Sequence, residues 1–310
     1  MSAISSWFGQ ISTSHGGATH CPRIHLPCST GCEARKPTHR VLCVPMPTDF
    51  RPFLWLLLLG VPLNVYFFAK GAGICADGGD PKIILPALIF FGVSAYRCLF
   101  PNRYEGNVVF HDTKLSASLP TRILSTFSEV AYIYQFSHVI RVLNVNEIGW
   151  IDALSWLMVV AVGVSQLFVW SAILTNRLRL YVYEELGWAI IFAANTIASG
   201  YLYATTSLSP ARAGLLVLSL GFGLVYLPWQ FLHLRSLWLN AGANESEDEA
   251  PEPMTLARIK RNAVHALHTR RPSTLSGDWG GAIGLTWMTA YWASLIPLWI
   301  YHVVRVLGTT

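Results

Sequence analysis

The stretch IDALSWLMVVAVGVSQLFVWSAILT, residues 151–175, is an apolar block with a single charged residue, Asp152. An α-helix rises about 1.5 Å per residue, so about 20 apolar residues are needed to cross a hydrocarbon core about 30 Å thick. This block is long enough to cross it. We therefore predict a membrane-spanning helix here, and similar blocks elsewhere in the chain extend the prediction.

Six further apolar blocks lie between residues 53 and 304. The chain is 53% hydrophobic and 13% charged, whereas soluble domains carry about 25% charged residues. We predict an all-α fold, a bundle of seven transmembrane helices over residues 51–308 with no soluble catalytic domain. The six further predicted spans are 53–69, 83–99, 120–142, 186–206, 214–238 and 282–304.

The block at 120–142 has the weakest span signal, because polar and ionisable side chains interrupt it. Residues 130–140 are otherwise apolar and aromatic, which favours a span. The alternative is a helix lying in the membrane interface. The interrupting residues are Arg122, Glu129, Gln135, His138 and Arg141.

Lysine and arginine are unequally divided between the two sides of the predicted bundle. One side carries 17 of the 22, and the positive-inside rule makes that side the inner one. The N-terminus is then inside and the C-terminus outside. The net charge of +5 indicates contact with an anionic inner leaflet, and not with nucleic acid. The inner segments are 1–52, 97–122, 177–179 and 235–271.

Two segments outside the predicted spans differ in composition from the rest. Residues 1–50 are poor in acids and contain Ser and Arg, which fits an organellar transit peptide or a disordered leader. The membrane of residence stays open. The inner loop 239–281 contains an acidic stretch, 245–252, and a basic amphipathic helix, 254–271, that can lie on the inner leaflet or pack on the protein.

Three polar residues on consecutive predicted helices fall near one membrane depth: Glu129, Gln166 and Asn195. An ionisable group in hydrocarbon is costly and needs a partner or a function. Arg122 lies two turns from Glu129, about 10 Å along the axis, so we expect no direct pair, although a chain of hydroxyls or waters could join them. A lone carboxyl stays protonated, which predicts a proton-linked or cation-linked site. The alternative is a hydrogen-bonded clamp that fixes helix packing.

The inner loop 97–122 is dense in functional groups. Arg97, Arg103 and Arg122 could hold a phosphate or carboxylate headgroup. His111 and Asp112 could act as an acid–base pair beside it. The alternative is ordinary loop charge of the positive-inside kind.

The sequence leaves the cofactor open. His138 and His302 share a depth near the outer face, where two imidazoles could hold haem or a metal. The alternative is a pair of independent interfacial histidines, and we predict no metal site. The chain contains no phosphate loop, HExxH or nucleophile elbow.

Three functions fit these features, and they leave open whether the protein is an enzyme. The preferred one is a small-solute or proton-linked transporter with a midplane polar site. The second is a membrane-embedded enzyme that acts on a lipid or prenyl substrate at the inner rim. The third is an accessory subunit that packs against partner subunits of a membrane complex.

Overall fold

A computed structural model describes residues 48–175, 177, 179–245 and 255–309. This part of the chain is almost entirely helical, and ten α-helices follow one another in it. They are α1 (Arg51–Leu57), α2 (Gly60–Ala76), α3 (Pro81–Leu99), α4 (Ser118–Leu143), α5 (Gly149–Thr175), α6 (Arg179–Thr205), α7 (Pro210–Glu245), α8 (Leu256–His268), α9 (Gly281–Met288) and α10 (Leu295–Leu307).

Six helical segments of the described chain are long and apolar enough to cross a membrane. The first joins α1 and α2 into 26 residues, which is longer than the predicted block 53–69. The all-α fold is thus confirmed, the six segments fit a multi-pass membrane protein, and the helices extend beyond the predicted blocks by up to seven residues. The six segments are Arg51–Ala76, Pro81–Leu99, Gly149–Thr175, Arg179–Thr205, Pro210–Leu239 and Gly284–Leu307.

Helix α4 is not among the six, because polar residues, among them Glu129, Gln135 and His138, interrupt its apolar stretch. It packs mainly between α3 and α5 and also touches α6, α8 and α10. Polar side chains that would be costly against lipid are therefore covered by protein, and Arg122, Glu129 and Gln135 are all buried. The helix with the weakest apolar signal thus buries its polar face, while Ile123 and Phe127 on its other face remain exposed.

The last apolar segment is not a regular helix. Between α9 and α10 the chain forms a π-helix, Thr289–Ala293, which ends at Ser294. The amide of Asn64 donates to the carbonyl of Trp292 over 2.9 Å, and the Cys98 thiol lies 3.4 Å from the same oxygen. These contacts tie α2 and α3 to the irregular backbone. A buried carbonyl outside the regular helical pattern needs a hydrogen-bond donor from elsewhere in the protein.

One end of the bundle carries a small non-helical cap. Strands β1 (Asn102–Arg103) and β2 (Val108–Val109) are antiparallel, and β2 runs parallel to β3 (Arg271–Pro272). Asp49 forms an isolated bridge with Leu275. The loops before α4 and before α9 therefore meet at one end, together with the start of α1. The cap has its own apolar core, made of Phe50, Leu54, Leu57, Val108, Trp279 and Leu285.

Helix α8 joins this same end of the bundle. It packs on the ends of α4 and α5, and Asn262 donates to the carbonyl of Leu174 over 2.9 Å. Leu256 and Val264 remain exposed. The acidic stretch between α7 and α8 lies largely outside the described residues, as does the leader, so the predictions made for them stay predictions.

Replacement of Gly60 by alanine tests the close contact between α2, α3 and the π-helix. An added Cβ would lie 2.6 Å from the Cys98 sulfur and 2.9 Å from the Ala293 Cα. We expect Gly60→Ala to lower the free energy of unfolding by about 1–3 kcal/mol, the usual cost of overpacking. Thermal unfolding in detergent measures this effect.

Gly73→Ala is the matched control, since it lies on the same helix and its added Cβ would meet nothing within 4 Å. Equal thermal stability of the two variants would contradict the packing described here.

Candidate functional site

The candidate site is a group of four side chains from three helices, here called the ion cluster. It consists of Arg122 and Glu129 on α4, Gln166 on α5 and Glu184 on α6. The Arg122 Nη2 donates to Glu129 Oε2 over 2.8 Å and to Gln166 Oε1 over 2.5 Å. Gln166 Nε2 donates to the same Glu129 oxygen over 2.9 Å. The guanidinium also lies 3.7 Å from Glu184 Oε1.

The charged members of the ion cluster are shielded from the bundle surface. Their side chains are 3% exposed for Arg122, 9% for Glu129 and 10% for Glu184. Removing such ions from water costs several kcal/mol each, and only close, hydrogen-bonded pairing offsets the cost. The ring of Tyr104 adds a cation–π contact, 5.5 Å from the Arg122 guanidinium carbon.

The expectation of no direct pair between Arg122 and Glu129 was wrong. It treated the 10 Å of helix rise between the two backbones as the distance between the charged groups. Both side chains are long, and they bend toward each other along one face of α4. Glu129 is therefore an ion-paired carboxylate and not a lone one.

Asn195 does not join this group. Gly187 of α6 lies against Ser165, the neighbour of Gln166, and Asn195 is eight residues further along α6, about 12 Å by helix rise. It is buried, and its side-chain nitrogen has no hydrogen-bond partner among the described residues. The structure brings Glu129 and Gln166 together and places Asn195 elsewhere.

Glu184 is a site residue that the sequence analysis missed. It lies just before the predicted span 186–206, outside every predicted helix. The helix in fact begins at Arg179. Glu184 is five residues into α6 and Arg122 is four residues into α4, so the two lie at similar distances from their helix starts.

Two tyrosines lie beside the ion cluster. Tyr132 is on α4, three residues from Glu129, and Tyr291 is on the π-helix, with ring centroids 6.1 Å apart. Both hydroxyls are buried without a hydrogen-bond partner in the described chain, and both are within electrostatic reach of Glu129. An unpaired buried hydroxyl costs about 1–3 kcal/mol, so the pair needs an explanation.

An aromatic cleft lies near these tyrosines, although neither of them lines it. It has a volume of about 370 Å³ and lies between α7 and α9. The ring of Trp287 in its wall lies 5.6 Å from that of Tyr291. Its lining is almost wholly apolar: Phe222, Val225, Tyr226, Trp229, Ala282, Thr286, Trp287, Ala290 and Leu295.

The arginines of the predicted headgroup site have different partners. Arg97 is buried, donates to the side chain and the carbonyl of Asn102, and lies 5.2 Å from the Trp292 ring. Arg103 donates to the carbonyl of Asp278 over 3.1 Å. Arg122 belongs to the ion cluster.

His111 and Asp112 also have separate partners. The His111 ring packs against Phe110, with centroids 4.4 Å apart, and against Trp55 at 5.8 Å. Asp112 accepts from Arg270 over 2.8 Å. No hydrogen bond between the two is found in the described structure, so they do not form the acid–base pair that the sequence suggested.

Asp278 links the cap strands by charge. Burial raises the pKa of its carboxyl, but hydrogen bonds from Ser273 and Arg271, together with the charges of Arg271 and Arg103, outweigh it. The pKa therefore lies below the usual value. The carboxylate accepts from Arg271 over 2.8 Å and from Ser273 over 2.5 Å, which holds β3 against the turn before α9.

The two outer histidines have unrelated surroundings. His138 lies 3.5 Å from the Asp80 carboxylate and stacks on Tyr134. His302 lines a separate cavity with Arg212 and Arg305. The described residues contain no group of three or more His, Cys, Asp or Glu arranged for a metal ion.

Comparison of the chain with models of protein families, with curated proteins and with solved structures finds no match in any of the three.

A double-mutant cycle measures how strongly the ion cluster is coupled. Arg122→Met and Glu129→Leu should each lower the free energy of unfolding by about 3–5 kcal/mol, because each leaves a buried ion without its main partner. The double variant should lose less than the sum, since it removes the close pair together and leaves only Glu184 without its contact to the guanidinium. Thermal unfolding of the four proteins in one detergent gives the coupling. Strictly additive losses would show that the two side chains act independently.

Proposed function

We propose that the protein is a proton-linked transporter of small solutes, with the ion cluster as its central site. The observation that carries the proposal is a buried guanidinium held between two carboxylates inside a bundle of membrane helices. Ionisable groups at membrane depth are costly, and they are typical of proton relays and of substrate or ion pathways.

The geometry of Arg122 supplies a switch. It pairs with Glu129 at 2.8 Å and has Glu184 as a second carboxylate at 3.7 Å. A proton taken up by Glu129 neutralises that carboxylate and weakens its hold on the guanidinium, which then moves toward Glu184. Because the two carboxylates belong to different helices, α4 and α6, a change of partner alters the force between those helices. Coupling a proton to helix movement is what alternating access requires.

The broken last span supports a solute site beside the switch. Discontinuous helices near the bilayer midplane are common at transporter binding sites, and π-helical turns are frequent at functional sites. Tyr291 lies on the π-helix, and its hydroxyl and that of Tyr132 are the buried donors without partners in the described chain next to Glu129. A polar solute held there would satisfy both hydroxyls and contact the switch.

The proposal includes seven membrane spans. The cap supports this number, because two of its loops lie on one side and an even number of crossings must separate them. Because β2 and β3 are paired, the loops that contain them lie on one side of the membrane. Helices α5, α6 and α7 lie between these loops and give three crossings. An even number is needed, so α4 supplies the fourth. The bridge from Asp49 to Leu275 supports a start of α1 on that same side.

The remaining loops fit the same topology. The amide of Asp80, between α2 and α3, donates to the carbonyl of Gly308 at the end of α10, so these two segments share the other side. With the lysine and arginine distribution, the N-terminus is inside and the C-terminus outside. Exposed Leu256 and Val264 on the basic helix α8 support its contact with an anionic inner leaflet.

Labelling with a membrane-impermeant maleimide in sealed vesicles tests the topology. In a protein whose four leader cysteines are replaced by serine, we expect Cys75 and a cysteine added at the C-terminus to react from the same side. A cysteine in place of exposed Leu275, Leu275→Cys, should react from the opposite side. Reaction of Cys75 and Leu275→Cys from the same side would mean that α4 does not cross.

Charge movement in proteoliposomes tests the transport proposal. Wild-type protein on a solid-supported membrane is challenged with mixtures of amino acids, organic acids and organic cations under an inward proton gradient. We expect a solute-dependent current that Glu129→Gln abolishes, because the amide cannot exchange a proton. Glu147→Gln makes the same chemical change in an exposed turn between α4 and α5 and should keep the current.

A current that survives Glu129→Gln would contradict the proposal, and so would the absence of any current from folded wild-type protein. The latter result would favour the accessory subunit. The hypothesis of a lipid-acting or prenyl-acting enzyme at the inner rim is not supported by a specific contact, because His111 and Asp112 have separate partners.

A further inference from the structure

A second cavity lies at the end of the bundle that holds the C-terminus. It has a volume of about 730 Å³ and opens between the turn after α4, the turn after α6 and the last turns of α10. This size is within the range of about 300–1,000 Å³ that is usual for small-molecule sites. We call it the outer cavity. Its polar lining consists of Ser207, Ser209, Arg212, His302 and Arg305.

The outer cavity has two guanidinium groups in its lining. Arg212 comes from α7, Arg305 and His302 come from α10, and no carboxylate among the described residues lines it. Two guanidinium groups around one space repel each other unless an anion lies between them. This end of the bundle is also poor in positive charge, since it carries only 5 of the 22 lysines and arginines, and two of these line the cavity.

The start of α7 adds donors to the same space. The helix is 36 residues long and begins at Pro210. The backbone amide of Ala213 donates to the carbonyl of Ser209, the residue just before the helix. The amides of Ala211 and Arg212 precede that bond, so they are among the free donors that a helix start offers to an anion.

We propose that the outer cavity binds an oxyanion, a phosphate or carboxylate group that belongs to a lipid headgroup or to a soluble anion. The guanidinium fork matches both groups, because each presents two oxygens in the plane that two N–H donors require. The serine hydroxyls and the α7 amides complete the donor set. This inference is independent of the transport proposal, since none of the residues belongs to the ion cluster.

The test uses the full chain, purified in a neutral detergent, with two charge-matched double variants. Arg212→Gln/Arg305→Gln removes two cations from the cavity. Lys70→Gln/Lys82→Gln removes two exposed cations from the same end of the bundle, and neither lines the cavity. Inorganic phosphate is titrated against each protein, and each is also reconstituted in nanodiscs of phosphatidylcholine with graded phosphatidylglycerol, read by native mass spectrometry.

We expect the cavity variant to lose about tenfold or more in affinity, the usual effect of removing a charged hydrogen-bonding partner, while the lysine variant stays close to wild type. Loss for inorganic phosphate identifies a soluble anion as a ligand, and loss for phosphatidylglycerol alone identifies a lipid headgroup. Equal behaviour of the two double variants, or no binding of either probe to wild type, overturns the inference. Arg305→Gln alone keeps the test valid if the double variant misfolds, because Arg305 is exposed.

Discussion

The structure depends on one constraint: a charge inside a hydrocarbon layer has to be neutralised by the protein itself. Arg122 and Glu129 lie on the same helix and pair with each other, and α5 and α6 add Gln166 and Glu184 as further partners. The arrangement of α3, α5 and α6 around α4 follows from this need. Helix α4 thus turns its polar face toward its neighbours, and its apolar residues Ile123 and Phe127 stay exposed.

The same constraint governs the irregular backbone of the last span. A π-helix frees a carbonyl from the regular pattern, and in a membrane that carbonyl needs a protein donor. Asn64 supplies it from α2, and the Cys98 thiol approaches from α3. The irregular turn is therefore part of the packing, and it places Tyr291 against Tyr132 and the ion cluster.

The arginines at the two ends of the bundle differ in their partners. At the cap, Arg97, Arg103 and Arg271 already have partners in the protein, namely Asn102, the carbonyl of Asp278 and its carboxylate. At the opposite end, Arg212 and Arg305 face a cavity without a lining carboxylate among the described residues. The cap cations hold the fold together, whereas the outer cations are arranged for a ligand.

Apolar length by itself determined that this is an all-α membrane protein, because the need to cover about 30 Å of hydrocarbon leaves long apolar helices as the solution. It also located the helices to within a few residues, and it singled out Glu129 and Gln166 as polar groups that need partners. Only the tertiary structure decided which groups meet. Side-chain reach turned a 10 Å helix rise into a 2.8 Å contact between Arg122 and Glu129, and an early start of α6 brought in Glu184. The shift of α6 along α5 left Asn195 outside the ion cluster. His111 and Asp112 are adjacent in the sequence, yet their side chains have separate partners. Helix rise is a local property of the chain, whereas the axial shift and rotation of neighbouring helices are set by packing, which no single helix encodes.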